Sequence, residues 1–182
     1  MARVRLVTTS EAEGDARELF TAMEQQGAAI LNLHRSLGNS PTIIRNFLRL
    51  GTSLLAYGQL SPNLRELAIL RISQMTGADY EWAHHVPLAK QVGVSEEQIK
   101  SLKKWEAHDC FDDRERALLL YVETVTREVA VPGDVFNAAR AYLSEGGIVE
   151  LTLVCGYWGM AARILKALDI DVEPDVQQYL PA

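Results

Sequence analysis

E-L-A-I-L-R-I-S-Q-M-T-G-A-D-Y-E-W-A-H-H-V-P-L-A-K-Q-V-G, Glu66 to Gly93, reads as two helices joined at a glycine. The first carries Glu66 among Leu64, Leu67, Ile69 and Leu70. It is expected to begin at Ser61-Pro62, an N-cap followed by an N1 proline, and to stop at Gly77. The second, Tyr80 to Val92, places Glu81 and His85 one turn apart and therefore on one face. A carboxylate stacked on an imidazole can orient the ring, select its tautomer and raise its pKa. That is a proton-transfer pair in an apolar neighbourhood. Pro87 is a candidate kink within this helix, and Gly93 ends it.

Outward from this stretch nearly every segment reads helical. Ser10 with Glu13 is a capping box, as are Ser95 with Gln98 and Asp112 with Glu115. Gly27 opens a short apolar segment, A-A-I-L-N-L-H-R-S-L, with helical spacing. Ser40-Pro41 starts another helix. Pro132-Gly133 breaks the chain, and a long apolar helix is expected after Gly146-Gly147, from Ile148 to Leu168. No segment alternates as a strand does, and no linker or low-complexity stretch appears. The fold class is all-α, a single domain over residues 1–182 with about seven or eight helices packed as a bundle. Leu64–Met75 and Ile148–Leu168 read as apolar all round. Such helices belong in the middle of a bundle or at a subunit interface, and a homo-oligomer is the expectation over a monomer with two central helices.

The 182 residues are 48% hydrophobic and 23% charged, with a net charge of -6. An acidic chain argues against nucleic acid and anionic membranes as partners. No uninterrupted apolar run approaches the roughly 18–20 residues of a membrane span, and no signal peptide is read at the basic N-terminus. Cys110 and Cys155 lie far apart with no C-x-x-C, so a disulfide framework is not expected and a cytoplasmic, reducing location is.

Each candidate residue has a plain structural reading beside the chemical one. His85 is either a core histidine satisfied by a neighbour or a proton carrier. Glu66 is either a partly buried carboxylate whose pKa is raised by burial or lowered by an arginine, or it forms a salt bridge in the neighbourhood of Arg65 or to Arg71, or lies exposed on the one wet face. Adjacent helical residues point about 100° apart, so His84 is expected to face away from the site that His85 faces. Arg163, within M-A-A-R-I-L, could pair with an acidic substrate or with Glu66, Glu81 or Glu150. Tyr157 and Trp158 are read as packing. His85 has no second histidine one turn away and no H-E-x-x-H occurs, so no metal is expected. No phosphate loop or dinucleotide fingerprint is present, and no cofactor is expected.

R-E-L-A-I-L-R, T-G-A-D-Y-E-W-A-H-H and A-K-Q-V-G-V-S-E-E-Q-I, together spanning about Leu50 to Leu102 with their flanks, resemble the carboxymuconolactone decarboxylase family. E-L-T-L-V-C-G-Y-W-G-M-A-A-R, Glu150 to Arg163, resembles that family's final core helix. The resemblance implies an alkylhydroperoxidase D-like fold and assembly as a trimer or hexamer. In the family's peroxidase branch a glutamate precedes a C-x-x-C and a histidine follows it. Those positions fall on Glu66 and His85, with the two cysteines replaced by Ala78 and Glu81. A dithiol peroxidase needs a thiolate nucleophile and a resolving thiol, so this activity is not expected. The decarboxylase branch implies a cofactor-free lyase acting on a small carboxylated lactone or related acid. His85 would carry the proton, Glu81 would orient it and Glu66 would share the proton. Tyr80, Trp82 and Arg163 are the candidates for holding substrate. A cofactor-free isomerase and a non-catalytic ligand-binding or assembly protein on the same scaffold are the alternatives.

Overall fold

Helix starts follow the capping chemistry only in part. The computed structural model describes residues 1–181, and among them runs a chain of nine α-helices and two short 3-10 segments with no strand. The helices are α1 (Gly14–Gln25), α2 (Asn32–Leu37), α3 (Pro41–Ala56), α4 (Pro62–Thr76) and α5 (Asp79–Gln91), then α6 (Glu96–Ser101), α7 (Asp113–Glu128), α8 (Gly133–Arg140) and α9 (Glu145–Ala167). The boxes at Ser95/Gln98 and Asp112/Glu115 both form. Pro41 and Pro62 occupy first turns. Gly77 ends α4 at a left-handed φ of 62°, a conformation that glycine adopts without a Cβ penalty.

Three local expectations are corrected, at Ser10, at the Ser40 and Ser61 caps and at Gly146-Gly147. Ser10 and Glu13 form no box. Glu13 is the N-cap of α1 without a side-chain bond. Two residues earlier the Thr8 backbone N–H and hydroxyl both donate to the Glu11 carboxylate, at 2.9 and 2.7 Å. Ser40 and Ser61 sit at N-cap positions but their hydroxyls cap nothing, and Ser61 Oγ is buried without a partner. Proline at N1 supplies the helical φ by itself. α5 runs on through Pro87 as one helix. Gly146 and Gly147 lie inside α9, because Ser144 caps the helix by accepting from the Gly147 N–H.

α4 is the centre of the bundle and packs on α5, α7 and α9. Leu64, Leu67, Ile69, Leu70 and Ile72 are all buried, which is why its residues show no polar face. α9 is apolar on its packed face and on part of its outer face. Leu151, Val154, Trp158 and Leu165 are buried, while Val149, Leu153 and Met160 are exposed. By length and composition α9 could also cross a membrane, but more than half of its apolar window is packed inside the bundle. A second small core, Val7, Ala12, Ala16, Phe20 and Ile44, fixes the N-terminal segment on α3.

Candidate functional site

α4 and α5 deliver the chemistry because they pack side by side. Glu66 on α4 is 1% exposed and faces α5. Its Oε2 lies 2.7 Å from His85 Nδ1, and its Oε1 lies 3.4 Å from Arg65 Nε. On the other side of the ring, Trp158 Nε1–H of α9 donates to His85 Nε2 at 3.0 Å. The two rings meet nearly edge-on, with centroids 5.6 Å apart. An indole N–H can only donate. His85 Nε2 therefore carries the lone pair, and Nδ1–H donates to the Glu66 carboxylate. Glu66, not Glu81, sets the ring's tautomer and orientation. The sequence reading assigned that role to Glu81, one turn away on the same helix; the partner comes instead from the neighbouring helix.

Among the described residues Glu81 has no hydrogen-bond partner. Both of its carboxylate oxygens are buried and unbonded, and the residue is 3% exposed. Burial pushes its pKa up to about 9. An unpaired carboxyl in an apolar site is retained as the neutral acid because ionising it there costs more than protonating it.

Glu81 and His85 both line a cavity of about 420 Å³, as their shared face predicts. Most of the wall is apolar, with Leu33, Phe47, Leu48 and Leu55 among its residues. Thr52 and Leu88 are exposed at its rim. No lysine, arginine or cysteine lines it. Tyr157 closes one side and donates its hydroxyl hydrogen to the Phe47 carbonyl at 3.2 Å. Its ring lies against α3 because residue 51 is glycine, where an added Cβ would be 2.7 Å from Tyr157 Cζ.

His84 also lines this cavity, contrary to the expectation that it faces elsewhere. The wall extends to its side of α5 because α2 and the segment after α9 fold over it. Glu173 of that segment accepts from the Asn32 N–H at 2.5 Å and from the Tyr80 hydroxyl at 2.7 Å. The same carboxylate meets His84 Nε2 at 2.7 Å. Burial alone would raise the Glu173 pKa, but the hydrogen bonds from His84, Tyr80 and Asn32 outweigh it and hold it at about 2. Burial lowers the His34 imidazole to about 4, partly opposed by Glu173.

Of the candidates read from sequence, Glu66, Glu81, His85 and Tyr80 come together here. Glu66 stands behind the ring rather than in the wall. Trp82 does not join them. It packs in the main core and lines a separate, broader cleft of about 920 Å³ together with Arg71, Lys100, Lys103 and Arg127. That cleft is the larger, but its Arg71 and Arg127 are tied to Glu123 at 2.6 and 3.6 Å, and it holds none of the imidazoles. Arg163 is exposed, bonded to the Gly159 carbonyl at 2.6 Å, and absent from the cavity wall. His34, His84, Trp158 and Glu173 were not assigned to the site from sequence. Trp158 reads locally as packing, and nothing in D-I-D-V-E-P-D marks Glu173. Cys110 and Cys155 are unpaired, and burial pushes the Cys155 thiol up to about 12.

Residues 41–124 match the model of the carboxymuconolactone decarboxylase family. The Bacillus subtilis (strain 168) protein YdfG is 30% identical over 106 residues, which span 57% of this chain and 72% of YdfG. The alkylhydroperoxidase AhpD core structure of a peroxidase-related protein from Ralstonia eutropha JMP134 has a TM-score of 0.82 at 16% identity, over 96% of this chain and 94% of that one. The debrominase Bmp8, in complex with 2,3,4-tribromopyrrole, has a TM-score of 0.81 at 20% identity, over 97% of this chain and 94% of that one. Likeness at these identities shows the shared fold and carries no activity with it.

Proposed function

Since this chain belongs to the carboxymuconolactone decarboxylase family, we propose that its cavity catalyses a cofactor-free proton transfer beside a carbonyl group, of isomerase or lyase type. The observation that carries this reading is the placement of a free, buried carboxyl and an ordered imidazole on one cavity wall. Glu81 has no other partner, and His85 is held between Glu66 and Trp158.

The division of labour follows from the hydrogen bonds. Glu81, as the neutral acid, donates to the substrate carbonyl oxygen. His85 Nε2 takes the proton from the adjacent carbon once the Trp158 indole turns aside. The C–H electron pair becomes the enol double bond, and the carbonyl oxygen receives the Glu81 proton. Glu66 stabilises the imidazolium that forms. Return of the His85 proton to a different carbon, with the enol proton going back to Glu81, completes an isomerisation with no net change in atoms. In the lyase form His85 Nε2 instead takes the proton of a hydroxyl on the β-carbon, the bond between the α- and β-carbons breaks to release a second carbonyl compound, and His85 returns that proton to the α-carbon while the enol proton goes back to Glu81. Pairs of groups whose surroundings separate their pKa values are the general mark of acid–base assignments.

The dithiol peroxidase reading remains disfavoured, since Ala78 and Glu81 stand at the cysteine positions implied by the resemblance and no thiol lines the cavity. The test is deuterium incorporation. A panel of small cyclic enones and lactones in heavy water is followed by proton NMR for exchange beside the carbonyl. Wild-type protein should catalyse it, and His85→Gln should reduce the rate by about 10²- to 10⁴-fold. Exchange that is undiminished in His85→Gln, or absent across the panel, refutes the reading. Binding without exchange would favour the ligand-binding alternative.

A further inference from the structure

Most of the aromatic groups around the cavity already have hydrogen-bond partners. Tyr80 donates to Glu173 and accepts from the Leu33 N–H at 3.3 Å. Tyr157 donates to Phe47, and Trp158 donates to His85. His85 donates to Glu66, while His84 is engaged by Glu173. The groups with unused hydrogen-bonding capacity are the Glu81 carboxyl, the His34 Nε2 and His84 Nδ1 nitrogens, and the Thr52 hydroxyl at the exposed rim; of these Glu81 alone has both of its side-chain polar atoms buried and unbonded.

The charge balance is as restrictive. No lysine or arginine reaches the wall. His34 is held in its neutral form by burial. Any positive charge on His84 is already answered by Glu173 at 2.7 Å, and His85 presents a lone pair rather than a charge to its tryptophan. A carboxylate entering this space would give up its water and meet no free cation. It would also lie beside an acidic side chain. Burying an unpaired charge is among the most costly events in a protein interior.

We infer that the cavity is a binding site for uncharged, largely apolar carbonyl compounds of about one ring in size, with the Glu81 carboxyl donating a directional hydrogen bond to the carbonyl oxygen, and that it rejects carboxylates. A volume of about 420 Å³ suits a small ring compound with modest substituents. The neutral acid is the right donor, since a carboxylate accepts only. This inference names the ligand class of the site proposed above to move a proton. It rests on that reading for the chemistry and not for the binding. It also departs from the carboxylated lactone that the family resemblance implied.

The probes are 2-cyclohexen-1-one, the anion cyclohex-1-ene-1-carboxylate, which has the same ring size, and cyclohexene, which lacks an acceptor. Binding at pH 7 is followed by calorimetry and by Trp158 fluorescence, for wild type, Glu81→Leu and Glu81→Gln. The enone should bind wild type more tightly than either other probe. Glu81→Leu should weaken enone binding by about 10-fold, and Glu81→Gln, which keeps an N–H donor, should restore most of it. The infrared difference between wild type and Glu81→Gln should contain the carbonyl band of a protonated carboxylic acid, shifted to lower frequency by the enone. Carboxylate binding as tight as that of the enone, equal enone affinity in Glu81→Leu, no enone binding, or a carboxylate band for Glu81 at pH 7 each overturns the inference. Deuterium exchange is read separately. If the binding pattern holds and exchange is absent, the ligand class stands and the catalytic reading fails. If exchange occurs but the carboxylate binds best, the reverse is concluded.

Discussion

Replacing Glu81 with glutamine should change the pH dependence of stability more than stability itself. The folded protein holds the Glu81 proton up to about pH 9, whereas the unfolded chain releases it near the ordinary 4.5. Between those values the unfolded state binds fewer protons, so stability must fall as pH rises. This is opposite to the usual salt-bridged carboxylate, whose folded pKa is depressed. Each pH unit above the unfolded value costs about 1.4 kcal/mol. The accumulated loss is then about 3 kcal/mol at pH 7 and about 5 kcal/mol at pH 8. Glutamine has the size of the neutral acid and cannot ionise. Its burial adds an offset that is the same at every pH. Urea unfolding of wild type and Glu81→Gln, followed by circular dichroism at pH 5, 6, 7 and 8, isolates the slope, because other titrating groups cancel in the difference. The variant should gain on wild type by about 1.4 kcal/mol per pH unit, and the gain between pH 5 and pH 7 should raise its relative Tm by roughly 5–10 °C. Parallel stability curves would mean that Glu81 ionises freely in the folded protein. The neutral-donor role would fall with that result.

Glu66→Ala removes the partner of two buried groups, the His85 ring and Arg65, and should destabilise the fold by about 3–5 kcal/mol in the same unfolding assay; a loss below about 1 kcal/mol would show the pair to be inessential. Gly51→Ala should push Tyr157 off α3 and break its bond to Phe47, costing about 1–3 kcal/mol by overpacking, more than the helix propensity it gains. A more stable Gly51→Ala protein with unchanged ligand binding would contradict that packing. Assembly is a further proposal: Val149, Leu153 and Met160 form an exposed apolar stripe along α9, suited to cover by a second copy in the trimer or hexamer that the resemblance implies. Wild type should sediment as an oligomer at micromolar concentration and Leu153→Glu should shift it toward monomer, whereas a monomeric wild type rejects the stripe as an interface.

Much of the fold is written in short-range chemistry. The Ser95/Gln98 and Asp112/Glu115 boxes, Pro41, Pro62 and Gly77 act over one helical turn, and each operates where the sequence places it. The misread starts had equally good local competitors: Thr8 and Glu11 lie beside Ser10 and Glu13, and Ser144 lies just before the glycine pair. Helical periodicity also put Glu81 and His85 on one face, and both line the cavity. The same reasoning turned His84 away, because a single helix does not reveal that α2 and the tail after α9 build a wall on its side.

Sequence by itself therefore determined the helical class, most helix ends, and the set of residues on α4 and α5 from which a site could be built. Only the tertiary structure decided which of them pair. The His85 ring is closed by Glu66, 19 positions away, and by Trp158, 73 positions away. Glu173 reaches His84 across 89 positions. The reason is physical: spacing along a helix fixes which side chains can meet within that helix, but an imidazole has two nitrogens, and each goes to whichever neighbour the packing of other helices brings within hydrogen-bond reach. Once Glu66 and Trp158 occupy both, Glu81 is left unpaired, and the carboxyl that the spacing marked as a partner becomes the free acid of the cavity.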